Sequence, residues 1–160
     1  MTTTVVDTSA LLALLYPDDE HNERAADLLQ RAAEDGKLAI NSVVYAELAA
    51  DDTFGSREEL DYFLSDTGIA VESLDREVSF RAGEAFQRYL SRRGDSLQCP
   101  ACGTETTFTC PECGTEITAR QHIAADFLIG AHAETADRLL TFDSGFYRDY
   151  FDVPVRTVSE

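Results

Sequence analysis

Four acidic residues stand where an ordinary solvated charge is hardest to justify. Asp7 closes the β-rich run Thr3 to Val6, and Asp143 follows Leu139-Leu140-Thr141-Phe142 in the same way. Glu47 interrupts the apolar stretch Val43-Val44-Tyr45-Ala46-Glu47-Leu48-Ala49-Ala50, and Asp126 interrupts Ile123-Ala124-Ala125-Asp126-Phe127-Leu128-Ile129. An ionised carboxylate on an otherwise apolar face is costly unless it is paired or coordinates a metal. Four that converge would repel one another unless a divalent cation joined them, and oxygen ligands of this hardness select Mg²⁺ or Mn²⁺, with waters completing the shell. Each residue also has an ordinary reading: Asp7 as a helix N-cap, Asp143 as a turn residue, Glu47 and Asp126 as helix-edge charges.

The cysteines suggest a second chemistry. Cys99-Pro100-Ala101-Cys102-Gly103 and Cys110-Pro111-Glu112-Cys113-Gly114 are two CPxCG turns, with seven residues between Cys102 and Cys110. Four thiolates in paired CxxC turns fit a closed tetrahedral zinc site; a redox pair is the other reading, and disulfides are the poorer one without a secretion signal. The segment from about Gln98 to Ile117 is expected to form a small inserted zinc ribbon, too short for a core of its own and held by metal. It interrupts the approach to the segment bearing Asp126, which could set it over the acidic groove.

The elements that must position these residues alternate. Strands are expected at Thr3 to Val6, Leu38 to Ile40, Ile69 to Glu72, Arg138 to Thr141 and Val155 to Val158. Helices are expected at Ser9 to Leu15, His21 to Ala33, Val43 to Ala50, Ser56 to about Asp66, Asp75 to about Arg93 and Gln121 to Glu134. Asn41 or Ser42, Ser56 with Glu59, and Asp75 are the candidate caps. The turn Glu34-Asp35-Gly36-Lys37 is expected between helix and strand, and no internal repeat stands out. Such alternation predicts an α/β fold: one parallel sheet with helices on both faces, with ligands gathered beyond the carboxyl ends of the strands. At 160 residues one domain, 1–160, is expected. No apolar run is long enough to span a membrane, and the N-terminus lacks the layout of a signal peptide, so a soluble cytoplasmic protein is expected.

Four segments resemble, in order, the acidic motifs of PIN-domain VapC-type toxins: Val6-Asp7-Thr8-Ser9-Ala10-Leu11-Leu12-Ala13-Leu14, Ser42-Val43-Val44-Tyr45-Ala46-Glu47-Leu48, Ala125-Asp126-Phe127-Leu128-Ile129-Gly130-Ala131-His132-Ala133 and Leu139-Leu140-Thr141-Phe142-Asp143-Ser144-Gly145-Phe146-Tyr147. The resemblance implies a PIN-like, Rossmann-like sheet and a Mg²⁺- or Mn²⁺-dependent endoribonuclease. Asp7, Glu47, Asp126 and Asp143 would hold the metal, with Ser9 and Thr141 supporting that shell; Thr8, Ser9 and Thr141 could equally be ordinary caps. It further implies an RNA substrate, a small antitoxin partner and a homodimer. The cysteine segment departs from the family pattern and leaves two alternatives open: a processing nuclease for one RNA, or a catalytically idle PIN-like module that binds RNA or protein through the ribbon. His21, His122 and His132 are expected to be surface or packing residues, since water activated by metal needs no imidazole base.

The charge balance resists a nucleic-acid partner at first sight. There are 30 acidic residues against 13 basic ones, a net of −17, and Lys37 is the single lysine. Phosphate contacts need basic patches. Salt removes most of the objection, because at about 1 M the Debye length shrinks to roughly 3 Å and only close contacts count. Basic residues also thicken later in the chain, with Arg76, Arg81, Arg88, Arg92, Arg93, Arg120, Arg138, Arg148 and Arg156 from position 76 onward. Acidity of this kind is the pattern of halophilic proteins. The melting temperature is therefore expected to rise from low to molar KCl as self-repulsion is screened, and a flat or falling series would remove the salt adaptation.

Overall fold

The computed structural model describes residues 1–94, 96–99, 102–117 and 124–157. Strand β1 (Thr2–Val6) leads through helices α1 (Thr8–Leu15) and α2 (Asn22–Asp35) to β2 (Gly36–Asn41). Helices α3 (Ser42–Ala50) and α4 (Arg57–Asp66) lead on to β3 (Ile69–Glu72), followed by the long α5 (Arg76–Arg93). Four two-residue strands come next: β4 (Leu97–Gln98), β5 (Glu105–Thr106), β6 (Phe108–Thr109) and β7 (Glu116–Ile117). The chain ends with α6 (Ala125–Glu134), β8 (Arg138–Leu140), α7 (Ser144–Tyr150) and β9 (Val155–Arg156).

Five strands form one parallel sheet in the order β3-β2-β1-β8-β9, as the alternation of elements predicts. The chain winds outward from β1 to β3, then returns past β1 to β8 and β9. Right-handed crossovers therefore put the two sets of helices on opposite faces. The winding direction reverses between β1 and β8, which is where an open α/β sheet leaves a crevice at its carboxyl end. Val5 and Val6 of β1 are both fully buried, as a central parallel strand covered on two faces requires.

The caps that the sequence suggests are in place. Asn41 accepts from the amides of Val43 and Val44 at 2.9 and 3.2 Å, Ser56 from Glu59 at 3.2 Å and Asp75 from Val78 at 2.8 Å. Elsewhere the boundaries move. Helix α2 continues to Asp35 and β2 begins at Gly36, so no separate turn occupies residues 34–37. Helix α6 begins at Ala125 after an extended Ala124 (φ −75°, ψ 150°), while residues 121–123 of the expected helix, His122 among them, lie outside the described residues. Strand β8 stops at Leu140, although the Thr141 amide still donates to the Arg156 carbonyl at 3.0 Å; Val158 of the last expected strand lies outside the described residues. Helix α7 has no counterpart in the sequence reading.

What fixes α6 is aromatic packing. The Phe127 ring, 1% exposed, meets Phe146 at 4.9 Å and Phe86 at 5.2 Å between centroids, so α5, α6 and α7 close around it. Such pairs contribute about 0.5–1.5 kcal/mol each beyond the area they bury. Gly130 allows the helix to approach, since a Cβ there would stand 2.3 Å from the Phe151 ring.

The cysteine segment contains an internal repeat that the sequence reading overlooks. Strands β4 and β5 pair with Leu97 opposite Thr106, and β6 and β7 pair with Phe108 opposite Ile117, so two antiparallel hairpins share one register. In each, the first cysteine's amide donates to a threonine carbonyl (Cys99 to Thr104, 2.9 Å; Cys110 to Thr115, 2.8 Å). In each, a glycine at positive φ, Gly103 at 74° and Gly114 at 73°, closes the turn back onto that cysteine. Among the described residues, no helix is long and apolar enough to cross a membrane.

Candidate active site

Asp7 and Asp143 flank the crevice, one directly after β1 and the other just beyond β8. Both occupy the N-cap position of a helix, and neither uses its carboxylate as a cap. The reading of Asp7 as an ordinary N-cap therefore fails on geometry. The Asp7 side chain, on a residue 5% exposed, is taken up by hydroxyls: Oδ2 accepts from Ser9 at 2.6 Å and from Thr141 at 2.8 Å, and Oδ1 faces Tyr147 at 3.2 Å. Thr141 also accepts from the Asp143 amide at 3.0 Å, and Ser9 accepts from the Phe142 amide at 3.1 Å. Ser9 and Thr141 thus tie the ends of β1 and β8 together around one carboxylate.

Asp126 enters from the first turn of α6, half-buried and facing the same centre. The Tyr147 hydroxyl lies 3.3 Å from its Oδ1, so one phenol bridges Asp126 and Asp7. A hydroxyl has one proton to give, so at any moment one of the two carboxylates goes without it. Glu47 comes from the middle of α3, where its Oε2 accepts a short hydrogen bond from Thr8. Asp143 is the exposed member. The four carboxylates the sequence singled out are therefore brought together.

Their proximity is legible in the protonation of Asp126. Burial is the main cause of a pKa pushed up to about 6, with the negative charges of Asp7, Glu47 and Asp143 adding to it and the Tyr147 hydrogen bond opposing it. Burial, then Asp7 and Asp126, likewise hold the Tyr147 phenol well above its ordinary range, so it stays a neutral donor. Helices α1, α6 and α7 all start at this centre, and the partial positive charge of their N-termini favours anions. That offset is too small to cancel the crowding felt by Asp126.

A divalent cation would cancel it. Among the described residues, no group of three or more His, Cys, Asp or Glu side chains stands close enough to hold a metal ion between them. Mg²⁺ keeps several of its waters and takes one or two carboxylates directly, so it does not need such a group. The donors are all oxygens, as a hard ion requires. The two described histidines lie off the centre: His21 packs edge-on against Phe142 at 5.5 Å, and the buried His132 meets Glu72 at 3.0 Å, where Lys37 also binds.

Two members escaped the sequence reading. Thr8 passed as a possible cap, although its place beside Asp7 was visible. Tyr147 had no signal, because it depends on α7: a helical side chain leans toward the N-terminus, so a residue one turn into a helix that starts after Asp143 points back to the crevice.

The model of the PIN domain matches residues 4–102, a span that carries Asp7 and Glu47. No curated protein matches the chain in sequence. Among solved structures, VapBC2 of Rickettsia felis, bound to a DNA fragment from its promoter, is 20% identical with a TM-score of 0.60, covering 97% of this chain and 98% of that one. DNA-bound VapBC of Salmonella typhimurium is 14% identical with a TM-score of 0.57 and 99% coverage of both chains. Mycobacterium tuberculosis VapC20, a toxin that cleaves the sarcin–ricin loop, is 16% identical with a TM-score of 0.51, covering 93% and 96%. At such identities the likeness is one of fold.

The raised pKa of Asp126 has a consequence for stability without metal. A carboxyl near 3.8 when unfolded and near 6 when folded holds its proton better in the native state, so stability falls as pH rises through that window and the penalty is complete above it. Screening at a half-buried site reduces the penalty to on the order of 1–2 kcal/mol. Metal-free Asp126→Asn protein is therefore expected to exceed the parent in chemical denaturation at pH 7.5 and to match it near pH 4. Equal stability at both pH values would mean that the carboxylates do not crowd.

Proposed function

The chain belongs to the PIN-domain family, and from that premise we propose that it is a Mg²⁺- or Mn²⁺-dependent endoribonuclease, acting as the toxin of a toxin–antitoxin pair in a salt-adapted cell. The observation that carries this reading is the convergence of four carboxylates on one crevice, with Asp7 held by three hydroxyls and Asp126 strained by its neighbours. Asp7, Glu47, Asp126 and Asp143 would hold the metal. When bound, a divalent ion of this kind lowers the pKa of water and offsets charge on the phosphate oxygens.

The protein's own contribution is positioning. Ser9 and Thr141 fix one oxygen of Asp7, Thr8 fixes Glu47, and Tyr147 spaces Asp7 from Asp126 without adding charge. Asp143, exposed at the rim, is the carboxylate closest to an arriving substrate. Asp126, with a pKa near neutrality, is the group best able to carry a proton at Oδ1 or Oδ2. The family likeness and the VapBC complexes among similar folds support an antitoxin partner, and a homodimer is part of the same proposal. An arginine from that partner, reaching the carboxylates, would inhibit by supplying the missing positive charge.

The same reading puts a structural zinc on Cys99, Cys102, Cys110 and Cys113; each turn pairs its own two cysteines, and the two pairs would have to close on one another to hold it. Hydrogen bonding with Thr104 and Thr115, then with the backbone and the partner cysteine of each turn, lowers the Cys102 and Cys113 thiols from their usual range. A lowered thiol is a readier thiolate ligand. An added recognition element of this sort would equally suit a nuclease that processes one RNA, the second reading.

Asp7→Asn and Asp126→Asn are each expected to lower metal-dependent cleavage of single-stranded RNA by orders of magnitude while the protein remains folded. An Asp126→Asn protein that cuts as fast as the parent would sink the proposed centre. For the ribbon, elemental analysis of protein purified under reducing conditions should find one zinc per chain, lost in the Cys102→Ser/Cys113→Ser variant without unfolding of the sheet. A zinc-free parent, or one with Cys99–Cys102 and Cys110–Cys113 disulfides, would defeat the metal reading.

A further inference from the structure

A chain with 30 acids and 13 bases has few arginines to spare, yet four of its twelve line one cleft. The cleft, of about 280 Å³, runs between α2 and the face of β1, β8 and β9, with Arg24 and Arg31 on the helix and Arg138 and Arg156 on the strands. The register explains the strand side: Thr4 lies opposite Arg138 and Leu140 opposite Arg156, so these residues share one face of the sheet. On the helix, Arg24, Arg31 and Asp35 fall at spacings of seven and four, which is one side of α2.

Two acids answer three of these arginines. Arg24 and Arg31 both lean on the single carboxylate of Asp27, at 3.2 and 3.0 Å, leaving one positive charge over. Arg138 pairs with Asp35 at 2.9 Å, an acid that is itself 57% exposed. At the floor, Thr4 is fully buried and its hydroxyl finds no partner, a donor without an acceptor. Guanidiniums and an unused hydroxyl together describe a place for phosphate oxygens.

The cleft also leads somewhere. Helix α2 starts beside the candidate active site, because His21 packs on Phe142, the residue before Asp143. From Arg24 to Asp35 the helix then descends roughly 16 Å along the sheet, at about 1.5 Å per residue. We propose that this cleft is a track for the phosphodiester backbone of single-stranded RNA leaving the acidic centre, with Arg24, Arg31, Arg138 and Arg156 meeting its phosphates. The track rests on the ribonuclease reading, since RNA is taken as its occupant. It gives a strongly acidic nuclease a local polyanion contact that works at short range, which is the range left when salt screens the net charge.

The test reads binding apart from cleavage. In the Asp126→Asn background, the affinity for a fluorescently labelled single-stranded RNA is measured over a salt series for the parent, Arg31→Ala, Arg24→Ala/Arg31→Ala and Arg31→Lys. Arg31 is 68% exposed, so its truncation leaves the core intact. Each phosphate contact removed should lower the log–log salt slope by about 0.7, with the double variant weakened about tenfold and Arg31→Lys restoring most of the loss. An unchanged affinity and slope in the double variant would overturn the track, as would competition by inorganic phosphate for the cleft with no change in RNA affinity, the mark of an ion site only. Cleavage by the unmutated protein is scored separately: a parent that cuts RNA while the arginine variants bind normally loses only the track, and a parent that never cuts while the slopes fall loses only the nuclease.

Discussion

Everything at the carboxyl end of this sheet answers to the mutual repulsion of four carboxylates. Asp126 shows the strain directly, because burial and three negative neighbours push its pKa up to about 6. Folding alone does not favour such a cluster, since each anion brought out of water without a cation costs free energy. The remainder of the site holds those charges in place without a cation of its own. The hydroxyls of Ser9, Thr141, Thr8 and Tyr147 do this by donating hydrogen bonds without introducing a cation of their own.

The fold makes the gathering possible through winding rather than local sequence. Reversal of the winding direction between the parallel strands β1 and β8 opens the crevice, and the starts of α1, α6 and α7 surround it. Phe127 then decides where Asp126 goes, because the ring next to that carboxylate is locked among Phe86, Tyr89, Phe146 and Tyr150. Beyond the crevice, Arg81 joins α5 to α6 through Glu134 at 2.7 Å and to the α7 carbonyl of Tyr150 at 2.9 Å. Packing and site are thus one construction: the helix that buries the aromatic core is the helix that delivers the acid.

How much of this was legible in the residues depends on whether the signal was local. Asn41, Ser56 and Asp75 each cap a helix within three residues of themselves, so their roles could be read directly. The alternation that yields the sheet is likewise a matter of short periods. Asp7, Glu47, Asp126 and Asp143 were visible because an acid in an apolar run is conspicuous. Tyr147 was not, since a tyrosine among apolar neighbours looks like core, and its importance comes from meeting Asp7 across 140 positions of sequence. The Thr4 hydroxyl and the arginine cleft were hidden for the same reason: Arg24 and Arg138 meet only after β1 has paired with β8.

The cysteine hairpins obey a different physics from the sheet beside them. Each spans two short strands, and the pair Phe108 and Ile117 remains 59% and 44% exposed, so burial supplies little of their order. Backbone bonds at Cys99, Gly103, Cys110 and Gly114 shape the turns but are too few to hold a fold against chain entropy. A metal bound across the four thiolates would supply what burial lacks, because binding free energy at such a site is folding free energy. The chain would then hold two metals for opposite reasons. A soft-ligand site would create structure where there is no core, and a hard-ligand site would neutralise charge that the core has forced together.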